Sequence, residues 1–262
     1  MCGRFVQTQD AENYGAYFSV DVIKTDAVLR SWNVAPTKQV YAVAEHDGER
    51  QLGTFGWGLV PFWAKDKKIG ARLINARVET ASEKPAFRDS FKARRCIIPA
   101  DGFYEWERRP GGKLPHYIYA SGPHPLALAG LWSSWKDPDS GESLRTCTII
   151  TGEPSEVVAP IHDRMPVILP RSVWDAWLDP EVRDPADIRR LVEHLPVPNL
   201  EEHPVSTLVN RVANDVPELT APLASGAVQR GRLMDQEIRY VEGNTRRDPN
   251  MSPRADARCN NL

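Results

Sequence analysis

Short apolar, strand-like runs separated by polar turn clusters recur along much of the first 150 positions. Val40 to Glu45 reads as a strand, Asp47-Gly48 as a tight hairpin turn, and Gln51 to Leu59 as the returning strand. Strand-like runs recur over Cys96 to Ile98, Gly102 to Glu107, His116 to Ala120, Leu126 to Trp135 and Thr146 to Thr151. Turn clusters such as Pro110-Gly111-Gly112 and Asp137-Pro138-Asp139-Ser140-Gly141 separate them. Helical spacing is rarer. It covers Asp10 to Phe18, Ser82 to Lys92 behind a Ser-Glu cap, Arg171 to Leu178 with Val173, Trp174, Trp177 and Leu178 on one face, and Asp187 to His194. The pattern predicts an α+β fold: a single domain with a central, mostly antiparallel β-sheet or barrel-like core, flanked by a few short helices. Residues 1–225 read as that domain and 226–262 as a C-terminal extension. From about Gly243 the extension is expected to be disordered, because two prolines and few large apolar groups leave too little burial to offset ordering entropy.

Composition narrows the class. At 262 residues and 41% hydrophobic the chain can bury a sizeable core. A net charge of −2 gives no whole-protein basic field, so a nucleic-acid partner would need a local patch. Such a patch is encoded between positions 61 and 95, where ten Lys and Arg face four Asp and Glu. For Arg88, Lys92, Arg94 and Arg95 a solvated basic face is a serious competing reading. No run nears the length of about 18 apolar residues that spans a membrane, and no apolar segment follows Met1, so the expected location is the cytoplasm without membrane contact. The four cysteines, at 2, 96, 147 and 259, form no C-x-x-C pair and no zinc spacing. Cys96 and Cys147 read as buried small hydrophobes and Cys259 as a tail thiol. No metal or organic cofactor is expected, since neither a ligand cluster nor a phosphate-binding glycine loop is present.

Four segments concentrate the polar groups that look placed rather than scattered: Met1–Phe5, Leu73–Thr80, Ala100–Glu107 and Ile161–Pro166. Removal of Met1 would leave Cys2 with both a free α-amine and a thiol. Strand alternation puts Tyr104 and Trp106 on one face and Phe103, Glu105 and Glu107 on the other, so with the aromatics inward Glu105 looks onto a surface or cleft. Taken alone, Glu105 reads as a solvated strand carboxylate, His162 as an ordinary loop histidine, and Asn75 as a core amide satisfied by backbone.

Taken together the motifs resemble the SOS-response-associated peptidase (SRAP) family. They are Met-Cys-Gly-Arg-Phe at 1–5, Trp-Asn-Val-Ala-Pro-Thr at 32–37, Gly-Trp-Gly-Leu-Val-Pro at 56–61 with Trp63, Asn-Ala-Arg-Val-Glu-Thr at 75–80, Asp-Gly-Phe-Tyr-Glu-Trp at 101–106, His-Asp-Arg-Met-Pro at 162–166 and His-Pro-Val-Ser at 203–206. The resemblance covers about residues 2 to 223. It implies a protein that traps abasic sites in single-stranded DNA as a covalent crosslink through Cys2. Asn75 would hold the terminus at the reacting carbon, and Glu105 and His162 would move protons, with the division between those two left open. Arg4, Asn33, Pro36, Thr37, Trp63, Arg77 and Arg164 are the candidate DNA contacts, Trp63 by stacking a base and the Pro36-Thr37 loop by blocking a continuing duplex. Trp57 reads as core packing.

The residues support that chemistry independently. An α-amine with a pKa of about 8 is neutral in roughly a tenth of molecules at pH 7, far more often than a lysine. It is the better partner for the aldehyde of an opened abasic sugar. A neighbouring thiol can then close a five-membered thiazolidine intramolecularly, which makes the adduct persist. β-Elimination of the 3′ phosphate is a compatible side activity. The alternatives are an N-terminal-nucleophile cysteine peptidase acting on itself or on other proteins, and a non-enzymatic single-strand binding module. A one-site covalent trap needs no partner chain, so a monomer is expected.

Overall fold

The computed structural model describes residues 2–25, 30–193 and 195–223. The chain runs β1 (Arg4–Gln7), α1 (Ala11–Phe18), β2 (Val22–Lys24), β3 (Ser31–Val34), β4 (Gln39–His46), β5 (Glu49–Trp57) and β6 (Asn75–Arg77). It continues with α2 (Arg88–Ala93), β7 (Arg95–Ala100), β8 (Gly102–Arg109), β9 (Gly112–Ala120), β10 (Leu126–Lys136), β11 (Ser143–Gly152) and β12 (Met165–Pro166). It ends with α3 (Trp174–Leu178), α4 (Pro185–Val192) and β13 (Leu200–Pro204). The expected α+β class holds, and the expected strands are present, most of them extended by a few residues.

The strands form a barrel and a sheet. Strands β5, β4, β7, β10 and β11 hydrogen-bond in that order, and a parallel pairing of Thr146 with Gly56 and Cys147 with Trp57 returns β11 to β5 and closes the barrel. Alternating inward residues fill it: Val40, Ala42 and Ala44, then Phe55 and Trp57, Cys96 and Ile98, Leu128, and Cys147 and Ile149. The second sheet is antiparallel, in the order β13-β9-β8-β1-β3. Gln7 bridges the two. Its buried amide donates to the carbonyls of Pro99 and Tyr41 and accepts from the Tyr41 N–H at 2.8 Å. Asp101, at the corner between β7 and β8, accepts from Thr8, Gln9 and Tyr14 and fixes the entry to α1.

Local chemistry explains the turns and helix ends. Asp47 and Gly48 both have positive φ, the two-residue hairpin geometry that their sequence signals. Asp10 caps α1 by accepting from the Asn13 N–H, and Asp184 caps α4. The helix expected over 82–92 is shorter than its pattern. Residues 78–87 form turns and a bend and α2 starts only at Arg88, because Pro85 has no N–H to bond the Ala81 carbonyl and carry the preceding turns into a helix. Arg95 also departs from the expectation of a solvated basic face. It is buried over the Trp177 ring and donates to the carbonyls of Phe91, Lys92, Trp177 and Asp179, tying the ends of α2 and α3 together. The connection from β5 to β6 is closed at its base by two glycines. A Cβ on Gly58, whose φ is +132°, would lie 2.6 Å from the Gly70 carbonyl oxygen, and one on Gly70 would lie 2.5 Å from that of Gly58. His194, Cys259 and the expected disordered extension lie outside the described residues, and among those described no helix is long and apolar enough to cross a membrane.

Candidate active site

The start of the chain meets the barrel beside β8 and β6. Strand β1 lies between β3 and β8, with Arg4 opposite Tyr104 and Phe5 opposite Phe103. The Phe5 ring packs edge-on against Trp57 at 5.0 Å, which anchors the terminus to the barrel. Trp57 is buried, as expected of a core residue, and its indole N–H donates to the Ile74 carbonyl at 3.0 Å. That carbonyl also takes the Ile149 N–H, so the residue before Asn75 is held from two sides. Asn75 then faces Ile149 across a parallel pairing, and its amide N–H donates to the Cys2 carbonyl at 2.8 Å. The amide oxygen of Asn75 is buried and has no hydrogen-bond partner among the described residues. An unpaired amide oxygen at that position is ready to accept from an incoming N–H or O–H.

Cys2 is fully buried, and its thiol hydrogen bond goes to the Arg4 carbonyl. Burial, followed by the nearby Glu105 carboxylate, pushes the thiol well above its ordinary range. Glu105 is 1% exposed, so the surface carboxylate expected from strand alternation is absent: both faces of β8 are covered at this point. Burial raises the Glu105 pKa to about 7, against the opposing pull of the amino-terminal charge. Its carboxyl can therefore give or take a proton near neutral pH.

His162 sits in the turn before β12. Its Nδ1 receives the Arg164 backbone N–H at 3.0 Å, while an Asp163 carboxylate oxygen lies 3.0 Å from the same nitrogen. The two contacts make opposite demands. The backbone group can only donate, and the Asp163 side chain is almost fully exposed to screening water, so Nδ1 is the acceptor and Nε2 carries the hydrogen. Burial also holds the ring below its ordinary pKa, in keeping with a neutral imidazole.

The candidate DNA contacts divide. Trp63 is 48% exposed beside exposed Phe62 on the β5–β6 connection. Arg77 is exposed on β6, two residues beyond Asn75, and Thr37 is exposed with a φ of +72° while Pro36 is half-buried. Others are engaged inside the protein. Asn33 is buried, and its amide joins the Val209, Arg211 and Asn214 carbonyls to Arg4. Arg4 also donates to Val209 and Asn210, and Arg164 forms a two-pronged pair with Glu79 at 2.6 and 2.8 Å. Two residues went unsingled by sequence reasoning. Thr151 follows Cys147 and Ile149 on the inward face of β11, opposite Arg77, and its hydroxyl is buried without a partner among the described residues. His116 is buried opposite Glu105. Strand alternation held a signal for Thr151, a hydroxyl ending an apolar face; nothing local marked His116. Among the described residues no group of three His, Cys, Asp or Glu could hold a metal.

Comparison with known proteins places this arrangement. The family model described as "SOS response associated peptidase (SRAP)" matches residues 1–212. The Bacillus subtilis abasic site processing protein YoqW is 42% identical over 84% of this chain and 98% of its own. The Escherichia coli abasic site processing protein YedK is 31% identical over 85% of this chain and 100% of its own. A solved protein structure from Bacteroides thetaiotaomicron superposes with a TM-score of 0.75 at 25% identity, covering 85% of this chain and 100% of that one. With the family matched over most of its length and relatives of this similarity, the chain belongs to the SRAP family.

Proposed function

We propose that the protein processes abasic sites by capturing them in single-stranded DNA as a thiazolidine on Cys2, once Met1 has been removed. The observation that carries this reading is the Asn75–Cys2 hydrogen bond, which fixes the terminus while leaving the Asn75 amide oxygen open to an amine or a sugar hydroxyl. The relatives named for abasic site processing support it.

In the proposed sequence protonated Glu105 delivers a proton to the ring oxygen and its carboxylate takes one back from the C1′ hydroxyl, so that the bond between C1′ and the ring oxygen breaks and the sugar opens to its aldehyde. The neutral Cys2 amine attacks C1′, and the carbinolamine loses water to give an imine, with the His162 Nε2–H donating to the departing or adjacent oxygen. The S–H of Cys2 then adds across the C=N bond: sulfur bonds to carbon, and its proton ends on nitrogen. The product is protein plus DNA minus one water. A thiol pushed up by burial and by Glu105 suits this order, in which sulfur acts last and over a short intramolecular distance. It opposes the cysteine-peptidase alternative, which needs a thiolate at the outset. The imine also acidifies C2′, so β-elimination of the 3′ phosphate accompanies capture as a slower side reaction. Exposed Trp63, Arg77 and the Pro36-Thr37 loop are the proposed strand contacts. Arg4, Asn33 and Arg164 act behind them by holding the 209–214 segment and the His162 turn. The protein acts as a monomer in the cytoplasm, at the nucleoid when bound, with no cofactor.

The test is intact mass after incubation with single-stranded DNA carrying one abasic site. The expected product is a denaturation-stable adduct lacking one water, formed without reductant by the wild type and absent with undamaged DNA or with Cys2→Ala. Cys2→Ser should yield only an imine that borohydride is needed to trap. Equal adduct from Cys2→Ala would refute the assignment.

A further inference from the structure

The face of the second sheet that carries Glu105 also carries a second ionisable cluster. His116 lies directly opposite Glu105 in the β8–β9 register and opposite Pro204 in β13. Directly opposed residues bring their Cβ atoms within about 5 Å, so His116 is the cross-strand neighbour of Glu105 on the side away from β1. The ring is 5% exposed, with Nδ1 2.6 Å from a Glu202 oxygen and Nε2 3.2 Å from a Glu107 oxygen. Glu107 also takes the Arg109 guanidinium at 2.6 Å. A histidine whose two nitrogens both face carboxylates satisfies them only by donating from both, as the imidazolium. The cluster then sets two carboxylates against two cations. Without the ring charge, Glu107 and Glu202 would remain on the face of Glu105 with one guanidinium to balance them.

We propose that His116 is a positioning residue for capture: its charge and paired hydrogen bonds hold the Glu107 and Glu202 carboxylates in place and set the pH at which Glu105 exchanges its proton. The consequence for activity rests on the abasic-site reading; the consequence for Glu105 does not. Glu105 is otherwise faced by the Cys2 thiol, the amino-terminal charge and Asp163. His116 is faced by Glu107 and Arg109 from β8 and by Glu202 from β13.

The experiment titrates the Glu105 carboxyl by carbon-13 NMR, assigned with Glu105→Gln, in the wild type, His116→Gln and Glu202→Gln. The pH dependence of abasic-site capture is followed in parallel. Loss of the ring charge should raise the Glu105 midpoint by about one pH unit and carry the alkaline limb of capture with it. Loss of the Glu202 charge should lower the midpoint, which keeps a readout if His116→Gln does not fold. Midpoints unmoved in the folded variants, with reduced melting temperature as the sole change, would overturn the proposal. Shifted midpoints with no adduct even in the wild type would uphold it and reject capture.

Discussion

Three buried cysteines occupy two different surroundings. Cys96 and Cys147 lie within the barrel among Ile98, Leu128 and Ile149; Cys2 lies at the junction of barrel and sheet, and all three are fully buried. In each case burial is the leading cause of a raised thiol pKa. Burial therefore does not separate Cys2, the proposed nucleophile, from the two barrel cysteines. The difference is in the partners. Cys96 has Cys147 as its other electrostatic influence, whereas Cys2 has Glu105, the amino-terminal charge and an asparagine on its carbonyl. The barrel excludes water and polar groups together, while the junction excludes water and keeps polar groups with atoms to spare.

The largest expected effect that sharpens this contrast is on stability. Folded Glu105 keeps its proton to about pH 7, whereas in the unfolded chain the group ionises near its ordinary 4.5. With the folded-state value raised, the contribution is fully present below the unfolded value and is lost as the pH climbs through 7. Glu105→Gln has no charge to bury. Denaturant melts should show a small gap between variant and wild type at pH 5 and one on the order of 3 kcal/mol at pH 8, in favour of the variant that cannot capture. A constant gap would place Glu105 outside the buried polar set.

Next in size is Cys147→Ser, which puts a hydroxyl among apolar walls. It should cost about 2 kcal/mol in the same melts while changing capture by less than about twofold. Loss of capture would break the comparison, since the barrel cysteines would then be coupled to the site. The smallest effect belongs to Thr37, a β-branched residue held at a φ of +72°. Thr37→Gly should relieve the strain and raise stability by at most about 1 kcal/mol, while weakening binding to single-stranded DNA in a salt titration. Unchanged binding would remove Thr37 from the strand path.

Apolar strands joined by strong turn chemistry, such as 39–57 around Asp47-Gly48, were legible to within two residues at each end. The short strands at 4–7, 75–77 and 165–166 were not, because two to four residues show no period; only their motifs drew attention to them. Those strands and the His162 turn assemble the candidate site together with β8, which carries Glu105 and was legible. Burial was harder to read than position. Alternation with the aromatics inward turned Glu105 outward, yet it is buried, because its cover comes from distant segments that local alternation does not report. Arg95 lay in a basic run and Arg164 in a motif that marked it as a candidate DNA contact, yet one closes two helix ends and the other pairs with Glu79. His116 required a cross-strand register, which no local pattern contains.

The glycine pair at 58 and 70 gives the β5–β6 connection a pinched base, where two backbones touch without side chains between them. Between the two feet the connection stays on the barrel wall: Val60 and Ala64 pack on Trp135, whose indole N–H donates to the Ala64 carbonyl, while Phe62 and Trp63 are exposed. Either glycine, once given a side chain, would pry the two feet apart. The fold thus holds an exposed aromatic pair on a fixed mount, set from below by the glycine contact and from the side by Trp135.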